Sequence, residues 1–137
     1  GHKRFAEEVD ARISSVAETM GITSVLFNIP ENLSYGMQKR VEIARAIISQ
    51  PEMLLLDEPA AGLTYQETEE LDAVLADLSK NKGMSILLVE HDMDIVMKIS
   101  DRISVMSFGK KIAEGTPSEI ANNAEVIRVY LGEESSA

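Results

Sequence analysis

Residues 53–59 have the sequence MLLLDEP, a short apolar run that stops at two adjacent carboxylates and a proline. An uninterrupted apolar run of this length is typical of a β-strand in a sheet that is covered on both faces. Residues 85–89 form a second run of the same kind, and Glu90, His91 and Asp92 follow it. Because the residues around the two runs have helical spacing, we expect an α/β fold with parallel strands.

Three longer helices are predicted from apolar residues at helical spacing. The first ends at Gly21, and its apolar positions are Phe5, Val9, Ile13, Val16 and Met20. The second covers about residues 34–49, and its apolar stripe is Met37, Val41, Ala44 and Ile48. Its cations lie off that stripe on what we expect to be a solvated face, and they are Lys39, Arg40 and Arg45. The third covers about residues 66–82, and its apolar positions are Leu71, Val74, Leu75 and Leu78.

The last third of the chain predicts smaller elements. A short helix containing Ile95, Val96 and Ile99 precedes two strands, residues 102–107 and 111–114. The residues between the strands are Phe108-Gly109-Lys110, which favour a hairpin turn with Gly at a positive φ. Residues 117–131 predict two short helices, and we expect residues 132–137 to fray.

Composition excludes several classes of function. The chain has 137 residues, with 13 Lys plus Arg against 23 Asp plus Glu and a formal net charge of −10. This balance argues against nonspecific binding to DNA, RNA or an anionic membrane, so we expect no nucleic acid partner. The absence of cysteine excludes disulfides and thiolate metal sites. The apolar runs are far shorter than the ~20 residues that span a bilayer.

Acidic side chains follow both apolar runs, and ligands of parallel sheets gather at the carboxyl ends of the strands. Asp57 can hold a hydrated Mg²⁺ while Glu58 deprotonates a water. The alternative is that Asp57 only begins a loop and Glu58 only precedes a proline turn. His91 is likewise either a functional imidazole or an ordinary residue at a helix start capped by Asp92, and no spacing of a zinc site is present.

The start of the second helix is a candidate anion site. Ser34 is a suitable N-cap, and Gly36 leaves the backbone open to close approach by a phosphate. Free N–H groups and the helix dipole favour a negative charge here. The alternative is an ordinary capped helix without a ligand.

Taken in order, these segments resemble ATP-binding subunits of ABC transporters. Residues 33–46 resemble the signature motif and its helix, and residues 53–58 the Walker B strand. Residues 60–64 resemble the D-loop, and residues 90–92 the switch-histidine loop. Residues 99–103, 114–117 and 129–133 extend the resemblance toward importers of branched-chain amino acids.

The resemblance implies a role for each candidate residue. Ser34, Tyr35 and Gly36 would bind the ATP of the opposite subunit in a head-to-tail dimer. Asp57 would hold Mg²⁺ through water, Glu58 would be the general base, and His91 would contact the γ-phosphate. The parent would be an ATPase on the cytoplasmic, inner face of the cell membrane, bound to transmembrane permease subunits.

Three departures from the family pattern matter. Met37 stands where the family often has Gln or Asp. Thr64 stands where the wider family has Asp, but Thr64 and Glu67 form a capping-box pattern that preserves the helix start. No G-x-x-x-x-G-K-[ST] loop occurs in the 137 residues. The resemblance therefore implies a C-terminal part of such a subunit, inactive alone. In that interpretation, residues 1–50 form a helical subdomain that contains the signature helix. Residues 51–137 form part of a P-loop NTPase core, with a C-terminal hairpin and helices.

Two other functions stay open. One is that of a non-catalytic half-domain that would supply the signature motif in trans. The other is that of the C-terminal lobe of an SMC-type DNA-repair ATPase. In the fold that the resemblance implies, the Walker A strand lies between the strand that ends at His91 and the strand of about residues 102–107, and the 137 residues do not contain it. We expect the edge at residues 85–90 to be closed by residues 102–107 or by a second chain, in a strand-swapped or edge-paired homo-oligomer.

Overall fold

The computed structural model describes residues 1–131, which belong to two compact units that divide between Glu90 and His91. The predicted fraying of residues 132–137 lies outside the described residues. The first unit has helices and strands in the order α1 (His2–Met20), α2 (Tyr35–Ile47), β1 (Met53–Asp57), α3 (Tyr65–Lys80) and β2 (Ser85–Val89). The functional division at residue 50 stays a prediction.

The second unit is built around a hairpin. Its elements are α4 (Met93–Ile99), β3 (Ile103–Ser107), β4 (Lys110–Gly115), α5 (Pro117–Ala121), α6 (Ala124–Val126) and a final helical turn (Ile127–Leu131). Both Phe108 and Gly109 have positive φ, 46° and 76°, which suits a tight hairpin turn. The predicted hairpin and terminal helices are therefore confirmed.

The two apolar runs form a parallel pair, as predicted, with Leu55 opposite Leu87. Leu54, on one face of the pair, is buried. On the other face, Leu55 and Leu87 remain 67% and 54% exposed. The prediction that both faces are covered is therefore wrong for this face. An apolar run shows that a strand has side chains suited to burial, but it does not show which element covers them.

Each strand in the described part of the chain has one partner: β1 pairs with β2, and β3 pairs with β4 in antiparallel register. Pairing of residues 85–90 with 102–107 was one of the two expected closures, and it is wrong. The two-residue turn places β4 beside β3 at little entropic cost, so the hairpin forms locally. Donation of a strand by a second chain stays a prediction.

Burial confirms the predicted stripe of α3, where Leu71, Leu75 and Leu78 are buried, and follows the predicted stripes of α1 and α2 only in part. Gly21 ends α1 as expected, and it has the left-handed conformation. The apolar stripe of α1 is buried only near that end: Met20 is fully buried and Phe5 is 68% exposed. In α2, Ala44 of the predicted stripe is buried, and Met37, Val41 and Ile48 are partly buried. Ile43 and Ile47, outside that stripe, are buried as well. The predicted stripe of α2 is thus confirmed in part.

The prediction of a solvated cationic face on α2 is wrong for Arg40. Its side chain is only 13% exposed, and its guanidinium donates to Glu70 of α3. Lys39 is partly buried as well, with its Nζ 5.5 Å from the centre of the Tyr35 ring and 3.4 Å from Glu42. Of the three cations, Arg45 is the exposed one.

Candidate functional site

The carboxyl ends of β1 and β2 are joined by hydrogen bonds from the loop that follows β1. The N–H of Glu58 donates to the carbonyl of Val89 (2.8 Å), and the N–H of Ala60 donates to the Glu90 carboxylate (3.2 Å). Asp57 and Glu58 both remain exposed. The end of the parallel pair thus presents two adjacent carboxylates on a backbone held from the neighbouring strand.

Glu58 has a backbone conformation that is rare for its residue type. Its φ is +46°, in the left-handed region that favours glycine. Strain of this kind costs about 1–3 kcal/mol and tends to occur at functional sites. The hydrogen bond to Val89 helps to hold Glu58 in this conformation, which turns the chain directly after β1.

The predicted cap of α2 is confirmed: the Ser34 hydroxyl oxygen accepts from the N–H of Met37 at 3.2 Å. Tyr35 begins the helix and lies against the loop after β1. A Cβ placed on Gly62 would be 3.1 Å from the Tyr35 ring, and Gly62 has a φ of +78°. Residues 34–36 and 60–64 are therefore in direct contact, although about 25 residues separate them in the sequence.

The capping box at the start of α3 is also confirmed, with the Thr64 hydroxyl accepting from the N–H of Glu67 (3.2 Å) and the Glu67 carboxylate accepting from the N–H of Thr64 (3.0 Å). The same carboxylate accepts from the N–H of Gly36, at 3.1 Å. The N–H groups of Thr64 and Gly36, with the hydroxyls of Ser34 and Thr64, hold the pKa of Glu67 below its usual range. Sequence reasoning found the box but missed the bond to Gly36.

His91 is the first residue of the second unit and is exposed. Asp92 caps α4 as predicted, accepting from the N–H groups of Asp94 (3.0 Å) and Ile95 (3.4 Å). Both the functional interpretation of His91 and the alternative of an ordinary helix start are compatible with this geometry. That His91 acts together with Asp57 and Glu58 stays a prediction.

The donor set fits a hydrated divalent cation rather than one enclosed by protein ligands. Among residues 1–131, no group of three or more His, Asp or Glu side chains could hold a metal ion. Mg²⁺ commonly keeps several waters and binds one or two carboxylates together with substrate phosphates. Asp57, exposed at the end of β1, fits that mode.

Comparison with known proteins identifies the class. A sequence model of the ABC transporter family matches residues 2–61, and a model of the branched-chain amino acid ATP-binding cassette transporter family matches residues 110–136. The crystal structure of MJ1267, an ATP-binding cassette of an ABC transporter in its ADP conformation, aligns with a TM-score of 0.81 and 30% identity. That alignment covers 91% of this chain and 50% of the MJ1267 chain. The chain belongs to the ABC transporter family, and the predicted α/β fold of ABC ATPase type is confirmed.

Two relatives carry more specific names. The high-affinity branched-chain amino acid transport ATP-binding protein LivG of Salmonella typhimurium is 50% identical over 96% of this chain and 51% of its own length. The corresponding protein BraF of Pseudomonas aeruginosa is 46% identical over 85% of this chain and 46% of its own length. The chain therefore spans about half the length of the curated relatives it matches. In residues 1–131 we find no helix with the length and apolarity needed to cross a membrane.

Proposed function

We propose that this chain is the C-terminal part of the ATP-binding subunit of an ABC importer for branched-chain amino acids. The identity of 50% with LivG over 96% of the chain carries the proposal. It is supported by the hydrogen bonds that join the Asp57–Glu58 turn to the end of β2. The whole subunit would lie on the cytoplasmic side of the membrane, pair with a second ATP-binding subunit and bind transmembrane permease subunits.

The proposed chemistry needs little covalent work from the protein, since positioning and charge stabilisation dominate phosphoryl transfer. Bound Mg²⁺ would neutralise charge on the phosphates, with Asp57 holding it through water. Glu58 would accept a proton from the attacking water, and His91 would contact the γ-phosphate. Ser34, Tyr35 and Gly36 would face the ATP of the opposite subunit.

A chimera tests the proposal directly. The aligned part of LivG is replaced by this chain, and the hybrid is expressed in cells that lack their own LivG. We expect branched-chain amino acid uptake and ATP hydrolysis to be restored. A folded, membrane-associated hybrid that supports neither would overturn the proposal.

Glu58→Gln in the same hybrid is the matched control. The amide keeps the size and hydrogen-bonding shape of the carboxylate but removes its basicity, so turnover should fall on the order of 10²-fold or more while ATP binding persists. Unchanged turnover would mean that Glu58 is structural.

The isolated chain should behave differently from the hybrid. It lacks the G-x-x-x-x-G-K-[ST] loop that cradles the phosphates, and its net charge of −10 repels a triphosphate. We expect no saturable binding of Mg-ATP in calorimetry at micromolar affinity, and no hydrolysis. Saturable binding would contradict this expectation.

A further inference from the structure

The two carboxylate oxygens of Glu67 bind different parts of the first unit. Oε2 accepts from the N–H of Thr64 within its own helix start, and Oε1 accepts from the N–H of Gly36 at the start of α2. One side chain thereby satisfies a terminal N–H of each helix, and its charge lies where both helix dipoles favour an anion. The carboxylate links two segments that are 31 residues apart in the sequence.

The Glu67 carboxylate occupies the space that a side chain at position 36 would need. A Cβ at position 36 would lie 2.8 Å from both Cγ and Cδ of Glu67, which is closer than real Cβ contacts. Gly36 is helical, and its φ is not among the positive ones, so its backbone conformation does not by itself require glycine. The close approach that the sequence suggested for a phosphate is made here by the Glu67 carboxylate.

We propose that Glu67 is a positioning residue that holds the turn of residues 34–36 against the start of α3, so that Ser34 and Tyr35 move as one body with the loop after β1. The N–H of Gly36 is occupied by this bond. Only the expected effect of Glu67 on turnover rests on the proposed function.

The chain contains a matched control for this residue. Thr116 and Glu119 form a second capping box, in which the N–H of Thr116 donates to Glu119 (3.0 Å) and the N–H of Glu119 donates to Thr116 (3.3 Å). Both boxes have the pattern Thr-x-x-Glu, and both partners of the second box lie in the same turn. The Glu119 side chain also lies close to Gly115, directly before the box. Substitution of Glu119 thus measures the loss of a local capping box that has no hydrogen bond to a second helix.

A double-mutant cycle in the chain tests the link to Gly36. Gly36→Ala should lower the melting temperature of the wild-type chain, because the new Cβ displaces the Glu67 side chain. In a Glu67→Ala background the same substitution should leave the melting temperature unchanged or raise it, since alanine favours helix. Additive effects would overturn the proposal.

A pH titration of the backbone amide shifts by NMR detects the hydrogen bond between Gly36 and Glu67 separately from side-chain packing. The Gly36 amide proton shift should report protonation of the Glu67 carboxylate, with a midpoint below the usual range for Glu. This inflection should disappear in Glu67→Gln, because the amide does not titrate and the nitrogen that replaces one carboxylate oxygen cannot accept a hydrogen bond. Glu119→Gln should leave the inflection in place, and a Gly36 shift without a low-pH inflection in the wild-type chain would overturn the proposal.

The LivG hybrid then measures the consequence for turnover. We expect Glu67→Gln to lower kcat on the order of tenfold, as small displacements of positioned groups do, with KM for ATP within about twofold. Glu119→Gln should change neither, and equal effects of the two substitutions would count against the inference. An inactive wild-type hybrid would count against the proposed function alone, because the cycle and the titration use no nucleotide.

Discussion

The two sheets within residues 1–131 each have two strands, but they differ in how their faces are covered. The β3–β4 hairpin buries Ile103 and Val105 against Ile120 and Val126 from the helices that follow it. The parallel β1–β2 pair buries Leu54 on one face and exposes Leu55 and Leu87 on the other. The antiparallel sheet therefore has a core made by its own neighbours in sequence, whereas the parallel pair carries apolar side chains that the described residues do not cover.

The largest expected difference between the sheets is in the free energy of unfolding. Ile120 is 1% exposed, so Ile120→Ala removes buried methyl groups and should cost about 2–5 kcal/mol. Leu87→Ala, at a position that is 54% exposed, should cost about 0.5 kcal/mol or less. Urea denaturation followed by circular dichroism measures both, and equal losses would mean that the β1–β2 face is covered in solution.

Self-association is the next test of the same difference. The bare face and the free edge of β2 favour pairing with a second chain, which is the expected closure that stays a prediction. Leu87→Lys should weaken any dimer at least ~tenfold, about 1.4 kcal/mol, in sedimentation equilibrium. Ser104→Lys, at an exposed position of β3, is the control and should have no effect. A wild-type chain that stays monomeric at all concentrations would contradict the prediction.

The hairpin turn offers a smaller gain in stability. Phe108 has a φ of +46° and is fully exposed, so its ring contributes no burial to offset a backbone conformation that suits Asn or Gly. Phe108→Asn, which gives Asn-Gly at the turn, should raise the free energy of unfolding by about 0.5–1 kcal/mol. Thermal denaturation measures the gain, and a lower melting temperature would contradict this view of the turn.

Most of what could be predicted from the sequence was local. The capping box of Thr64 and Glu67, the Gly21 helix end and the Phe108-Gly109 turn each depend on residues within one or two turns of each other. The parallel pairing of the two apolar runs also followed, because helical residues separate them.

What could not be predicted depends on which distant segment supplies a partner. Arg40 has the spacing of a solvated residue but meets Glu70, 30 positions later. The bond from Gly36 to Glu67 spans 31 positions, and no periodicity in either helix signals it. The bare face of β1–β2 was missed for the same reason, since hydrophobicity describes Leu55 and Leu87 themselves and not what lies above them.

The smallest expected effect concerns acid stability, and it compares one carboxylate in each unit. In the hairpin, a hydrogen bond from Lys111 (2.6 Å) and its charge, with Arg102 nearby, hold the pKa of Glu114 below its usual value. Because the folded-state pKa is the lower one, this contribution is complete above the unfolded pKa and disappears as pH falls through the folded pKa. Glu114→Gln should therefore lower the melting temperature slightly at pH 7, with a difference that vanishes in acid.

The effects of the Glu114 and Glu67 substitutions should differ in their dependence on salt concentration. The Glu114 pair is exposed on the hairpin, so ~1 M salt, with a Debye length of about 3 Å, should remove most of its effect at pH 7. Glu67 is held mainly by backbone N–H groups, so the effect of Glu67→Gln should persist in salt while showing the same loss in acid. Melting curves of both variants at two pH values and two salt concentrations decide the comparison. A Glu114→Gln effect that is constant in pH and salt would mean that the side chain acts through packing rather than charge.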